Sequence, residues 1–160
     1  MRRATEIRAR GSWPAEQAVA TVTLDFDDRH RRRIRLVDDG GRDFLLDLEE
    51  ARMMGDGDGL RLSDGGFIRV VAADEAVADV SGSSPAHAAR LAWHIGNRHA
   101  PVQVLPDGVL RIRGDHVLVA MLEGLGASVV RRRAPFSPEP GAYARNGHDN
   151  GHGHGHGHDH

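Results

Sequence analysis

The feature that most constrains this chain is a change of hydrophobic period close to Ala73. Before it, apolar residues come in short runs that alternate with polar ones. "AVATVTLDF" and "RRRIRLV" each put one face inward and the other in water, the period of a half-buried strand. "VDDGG" stands between "RRRIRLV" and "RDFLLDL" and carries hairpin chemistry. "DGDGLRLSDGGFIRVVA" repeats the order turn, strand, turn, strand. Only "LEEARMM" has helical spacing, and it is short. Residues 1–74 therefore read as a small all-β domain.

Past Ala73 the helical period enters. "EAVADVSG" is a strand, and "SSPAHAARLAWHIGNRH" begins a helix with Ser84 as N-cap and proline at the first helical position. Ala88, Leu91, Ala92 and Ile95 form its apolar stripe, and Gly96 is placed to end it. "PVQVLPDGVLRIRG" is a hairpin about Pro106, Asp107 and Gly108. Asp115 caps a second helix, "HVLVAMLEGLGA", which closes at Gly126, and "SVVRRRAP" is a last strand. The order βαββαβ over residues 75–136 is that of a ferredoxin-like domain, so the expected fold class is α+β. Residues 137–160 are rich in proline, glycine and histidine and are expected to be disordered without a ligand.

Several functions are excluded by what the chain lacks or leaves incomplete. With no cysteine, a transition-metal site has only imidazole, carboxylate and methionine sulfur to draw on. A net charge of -2 gives no pull toward nucleic acid or an anionic membrane. The arginines of Arg29 to Arg35 and of Arg131 to Arg133 read as solvated strand faces, so no nucleic-acid partner is expected. No apolar run reaches the ~18 residues of a membrane span, and the amino-terminal stretch has no apolar core, so a soluble cytoplasmic protein is expected. "GDGDG" offers Asp56 and Asp58 at the first two ligand positions of a calcium loop, but Arg61 and Phe67 stand where glycine and a bidentate glutamate are required. It reads as a turn. Metalloprotease, serine-hydrolase and phosphate-loop motifs are absent, so the chain is not expected to be an enzyme.

The histidines carry what chemistry remains. His30 and His87 read as surface residues, and His94, one turn from Arg90 and Arg98, as packing or surface. The end of the chain differs: His148, His152, His154, His156, His158 and His160 are crowded together, mostly alternating with glycine. A purification tag is usually an unbroken run, whereas this stretch includes Asn150 and Asp159. Neutral imidazole suits nickel, copper and zinc. Because ligating imidazoles must be unprotonated and histidine ordinarily titrates near ~6.5, metal held there is expected to leave between about pH 7 and pH 5.

"GNRHAP", followed by "LRIRGDHVLVAMLEGLGASV", resembles the UreE family of urease accessory proteins, the nickel metallochaperones. The likeness extends over nearly the whole chain. It implies a homodimer in which His99, the motif histidine, faces its symmetry mate and binds one Ni(II) between the chains as cargo. Zn(II) and Cu(II) are further ions such a site accepts. Some members use an H-x-H pair in the later segment; here His116 matches its second member, while Gly114 stands at the first, which leaves ligation by His116 open. The tail histidines add ligands or hold a reserve of ions. The resemblance further implies delivery to the urease apoprotein through a GTPase accessory protein, with the β domain as a protein-contact module. The competing reading is a nickel or zinc storage or detoxification protein that works through its tail alone.

Overall fold

The structure, a computed structural model, describes residues 1–141. Its first half is a six-stranded mixed sheet built from β1 (Arg2–Arg8), β2 (Ala18–Leu24), β3 (His30–Val37), β4 (Asp43–Met53), β5 (Gly59–Leu62) and β6 (Phe67–Ala72). The strand order is β2-β6-β5-β1-β4-β3, with β1 parallel to β4 and β2 parallel to β6. Alternate residues of these strands, Val22, Phe44, Leu46, Leu60, Ile68 and Val70 among them, meet in one buried cluster. The hairpin at "VDDGG" forms as expected: Val37 pairs with Asp43, and the Asp38 carboxylate accepts the amides of Gly40 and Arg42.

Two local expectations fail here. "LEEARMM" is not helical; β4 runs on through it to Met53, paired with β3 as far as His30. A short stretch with helical spacing has little intrinsic helix stability, and a neighbouring strand able to satisfy its backbone decides the outcome. The run "AVATVTLDF" in turn stops being strand at Leu24. Asp25 caps a one-turn helix, α1 (Phe26–Arg29), by accepting the amide of Asp28 at 2.9 Å.

The second half follows the expected order: β7 (Asp74–Ser81), α2 (Pro85–Asn97), β8 (Gln103–Val104), β9 (Leu110–Arg113), α3 (His116–Gly124) and β10 (Ser128–Pro135). The strands lie antiparallel in the order β10-β7-β9-β8. Leu91 and Ile95 of α2 and Leu118, Val119 and Leu122 of α3 pack on Ala78, Val80, Leu110 and Ile112, so both helices cover one face of the sheet. The N-caps are those read from sequence: Ser84 Oγ accepts the His87 amide, and Asp115 Oδ1 accepts those of Val117 and Leu118. Where β7 hands over to α2, a Cβ on Gly82 would lie 2.6 Å from the Ala88 nitrogen, so only glycine lets the helix approach the strand end this closely.

The expectation that order ends at Ser137 needs correction. Phe136 is wholly buried against Phe26 and Val77, and Pro138 is buried too. Ser137 donates its amide to Gln103 Oε1 at 3.0 Å, Glu139 donates its own to the Val102 carbonyl at 2.8 Å, and the Glu139 carboxylate accepts the Val104 amide at 3.2 Å. A large aromatic and a free strand edge hold a segment whose composition alone suggested none. Residues 142–160, with the six tail histidines, lie outside the described residues.

The two sheets meet at the same place. Phe26 and Phe136 touch edge to face, with ring centroids 5.5 Å apart, and the Arg113 guanidinium lies 4.5 Å from the Phe26 centroid while pairing with Asp27. Arg29, read as part of a solvated arginine face, is 1% exposed and donates to the carbonyls of Met54 and Phe136. It lies on α1 rather than on β3, which turns it inward. The remaining arginines of that run do lie outside, several paired with Asp28, Asp47 and Asp43.

Candidate metal centre

The candidate centre is built on the way α2 ends. The helix does not stop at Gly96 but continues to Asn97, with Arg98 as C-cap. His99 then takes φ +56°, and among the described residues it is the only non-glycine in the left-handed region. Its amide donates to the Gly96 carbonyl at 3.0 Å, and the Ala100 amide donates to the Ile95 carbonyl at 3.3 Å. Those two bonds form a Schellman closure, in which the left-handed position is usually glycine because a Cβ there is costly. Ala100 completes the motif by packing on the cluster that contains Ile95. The exposed imidazole of His99 therefore projects from a tight, fully bonded turn and not from a loose loop.

Next to it lies a small pocket of about 220 Å3, lined by Arg98, Ala100, Asp115, Val117, Leu118 and Met121. These include both chain neighbours of His99 and both chain neighbours of His116, so the end of α2 and the start of α3 share one surface. Where it faces solvent the rim is mixed: Arg98, Asp115 and Val117 are exposed, Val117 to 80%. Trp93 of α2, which does not line the pocket, is 63% exposed. His94 is half-buried and sits edge-on to Trp93 at 5.0 Å.

The other histidines differ in how available they are. His87 accepts the Ser83 amide at Nδ1, which places its proton on Nε2, and Nε2 lies 2.9 Å from the Leu125 carbonyl. Both nitrogens are engaged in tying the first turn of α2 to the end of α3, so this residue is structural. His116 is exposed, but Arg131 Nη2 lies 3.4 Å from its Nδ1. A guanidinium at that distance competes for one nitrogen and would repel an approaching cation. His30 begins β3 and is half-buried. Asp56 and Asp58 of "GDGDG" accept the amides of Ala72, Arg10 and Gly55, as a turn requires.

Among the described residues no three histidine, aspartate or glutamate side chains come together in a group able to hold a metal. His99 would therefore supply only one imidazole to a metal ion and would need other ligands. Two sources are chemically open to it. A two-fold axis would bring the same imidazole from a second chain at no cost in sequence, and the tail histidines lie further along the same chain. The left-handed torsion of His99 was not legible in the sequence. The signal that could have found it is the lack of a glycine just beyond Asn97, where the helix has to close.

A family model described as the UreE urease accessory protein N-terminal domain matches residues 2–73, and one described as the UreE C-terminal domain matches residues 75–160. The chain is 50% identical over 151 residues to a urease accessory protein UreE from a Bradyrhizobium species, covering 94% of this chain and 71% of that one. It is 52% identical over 144 residues to one from Rhodopseudomonas palustris, covering 90% and 67%. With one from a Chelativorans species it shares 51% identity over 149 residues, covering 93% and 91%. Matches of this extent over both halves place the chain in the UreE family of urease accessory proteins.

Proposed function

We propose that this protein is a nickel metallochaperone that carries Ni(II) as cargo and delivers it to the urease apoprotein while the urease active site is assembled. It is an accessory protein and not an enzyme. The observation that carries the reading is His99: an exposed imidazole fixed in a torsion that costs energy for any residue except glycine. Strain retained at an exposed ligand-type side chain points to a use for that side chain.

In this reading residues 75–136 form a ferredoxin-like domain that dimerises, bringing two His99 imidazoles to one Ni(II). Residues 1–74 form a separate β domain that contacts other proteins. His148, His152, His154, His156, His158 and His160 add ligands or store ions, His116 stands as a secondary ligand, and Zn(II) or Cu(II) can replace nickel. The GTPase accessory protein and apo-urease are the partners in transfer, which takes place in the cytoplasm. No helix among the described residues is long and apolar enough to cross a membrane.

Nickel calorimetry combined with mass measurement at micromolar concentration tests this. The expected result is a dimer that keeps one tight nickel site after removal of residues 147–160 and loses it in His99→Gly. A strict monomer with and without nickel, or a His99→Gly protein that retains the tight site and still activates urease, would overturn it.

A further inference from the structure

The two sheets have four edge strands, and three of them are blunted. Along β2 the turn between β3 and β4 closes the edge. Asp39 donates its amide to the Thr21 carbonyl at 2.8 Å, and its carboxylate accepts the Thr23 amide and both threonine hydroxyls. Along β8 Glu139 does the same through the Val102 carbonyl and the Val104 amide. β3 is interrupted instead: its register slips between Arg31 and Arg33, and Arg31, Arg33 and Arg35 pair with Asp28, Asp47 and Asp43. Covering, interruption and charge are common ways to keep a sheet edge from accepting another strand. β10 is neither covered nor interrupted among the described residues. It keeps register with β7 over eight consecutive residues, Ser128 to Pro135. Gly114, just past β9, donates its amide to the Ala76 carbonyl, so the backbone of Ala76 turns toward β9 and that of its partner Arg133 turns outward. By strand alternation the N–H and C=O groups of Arg131 and Val129 face outward as well. Val129 packs with the helices, which puts the Arg131 and Arg133 side chains on the helix side of the sheet. Arg131 reaches His116 and Arg133 the Asp74 carbonyl, and among the described residues no carboxylate pairs with either. On the other face Val130 is 54% exposed, while Arg132 is already paired with Asp79.

We infer that the outer edge of β10 accepts a fifth strand, an extended acidic segment of a partner protein whose carboxylates face Arg131 and Arg133. Main-chain bonds supply the attachment, because a strand added at an edge satisfies the outward N–H and C=O groups. Side chains supply the choice. Directly opposed residues of an antiparallel pair lie on one face, so acidic residues at alternate positions meet the two arginines. A β-branched residue between them then lies against Val130. A second copy of this chain fits poorly. Two β10 edges joined about a two-fold axis would set arginine opposite arginine, and like charges in that position are destabilising. The residues that keep copies apart thus select an acidic strand. Neither His99 nor a metal ion takes part, so the inference does not depend on the nickel reading.

The probe is a capped peptide, as long as β10, that alternates glutamate with threonine. It carries a fluorescent label and is titrated against the metal-free full chain by polarisation. When glutamates stand opposite Arg131 and Arg133, their amides face β10 and the threonine amides face solvent. A peptide N-methylated on its glutamates is therefore expected to bind more than about tenfold more weakly, and one N-methylated on its threonines to bind like the parent peptide. A peptide alternating lysine with threonine should not bind. On the protein side, Arg133→Pro removes an outward N–H and a charge but no bond to β7, and should weaken binding about tenfold. Arg133→Gln keeps the N–H and should weaken it about twofold to fivefold. The methylated peptides are tested on the unaltered protein, so their comparison stands even where Arg133→Pro misfolds. No binding of the glutamate peptide at millimolar concentration would overturn the inference. Equal or reversed affinities of the two methylated peptides would do so too, as would a lysine peptide that binds as tightly as the glutamate one. A lower oligomeric mass in a folded Arg133→Pro would show the edge to be a contact between copies and likewise sink the acidic partner. Each of these outcomes leaves the nickel site at His99 untouched.

Discussion

The two helices of the second sheet end in the same turn with different residues at its critical position. After α3, Gly126 takes φ +88°, its amide donates to Glu123 and that of Ala127 to Leu122. After α2, His99 takes φ +56°, its amide donates to Gly96 and that of Ala100 to Ile95. The hydrogen bonds correspond one for one. Glycine meets the backbone requirement at α3 at little cost, and at α2 the chain forgoes that relief and places an exposed imidazole instead. Only the α2 end adjoins residues that flank a second exposed histidine. One turn closes a helix, and the other closes a helix while presenting an exposed imidazole.

Exchanging the residues of these two turns should separate the roles. The largest effect is expected in metal binding: His99→Gly should weaken the tight nickel site by more than about tenfold, since it removes a ligand and not merely an outer contact. Gly126→Ala should leave nickel titration unchanged. Equal nickel loss in the two variants would erase the distinction between the turns.

Stability should move the opposite way. Gly126→Ala is expected to cost about 1–2 kcal/mol, because a Cβ is forced into the left-handed region although its nearest atom, His87 Cε1, is at an acceptable 3.6 Å. His99→Gly should stabilise the fold by about 0.5–1 kcal/mol, the relief of that strain less the added freedom of the unfolded chain. Thermal melts of the metal-free proteins check both, at about 2–4 °C per kcal/mol for a chain of this size. A lower melting temperature in His99→Gly would show that the imidazole is held there for stability.

Acid should reach the ligand before it reaches the fold. Nickel held by imidazole is expected to dissociate as pH falls from about 7 to about 5. The fold's own carboxylates respond lower: Asp38, hydrogen-bonded by Arg2 at 2.7 Å and by the amides of Arg42 and Gly40, is held below the ordinary carboxylate range. A depressed pKa contributes stability that is complete above about pH 4 and is lost as pH falls through the folded value. Circular dichroism should therefore stay constant through the interval in which nickel is released. Asp38→Asn should lower stability at neutral pH and flatten its dependence below about pH 4.

The smallest change expected is at Gly114. A Cβ there would meet the Ala76 carbonyl oxygen at 3.5 Å, an ordinary contact, and its torsion is not left-handed. Gly114→His should therefore fold with little loss and complete an H-x-H pair with His116, read as additional nickel bound by the tail-less protein. No added nickel would mean that Arg131 beside His116 keeps the pair from binding.

What the sequence determined by itself was whatever is written in short-range chemistry. Period-two runs and their turn residues gave most of the strands, and Ser84 and Asp115 marked both helix starts because a cap is a contact within three residues. "GNRHAP" pointed to His99 through resemblance. The tertiary structure decided what depends on distant partners. "LEEARMM" became strand because β3 was there to pair with it, Arg29 turned inward because α1 set its direction, and Phe136 found Phe26 across 110 residues of sequence. Burial and strand pairing over such separations are set by the assembled core, which no local pattern encodes. The torsion that fixes His99 is of the same kind: it follows from α2 running past Gly96 until Ala100 meets the core.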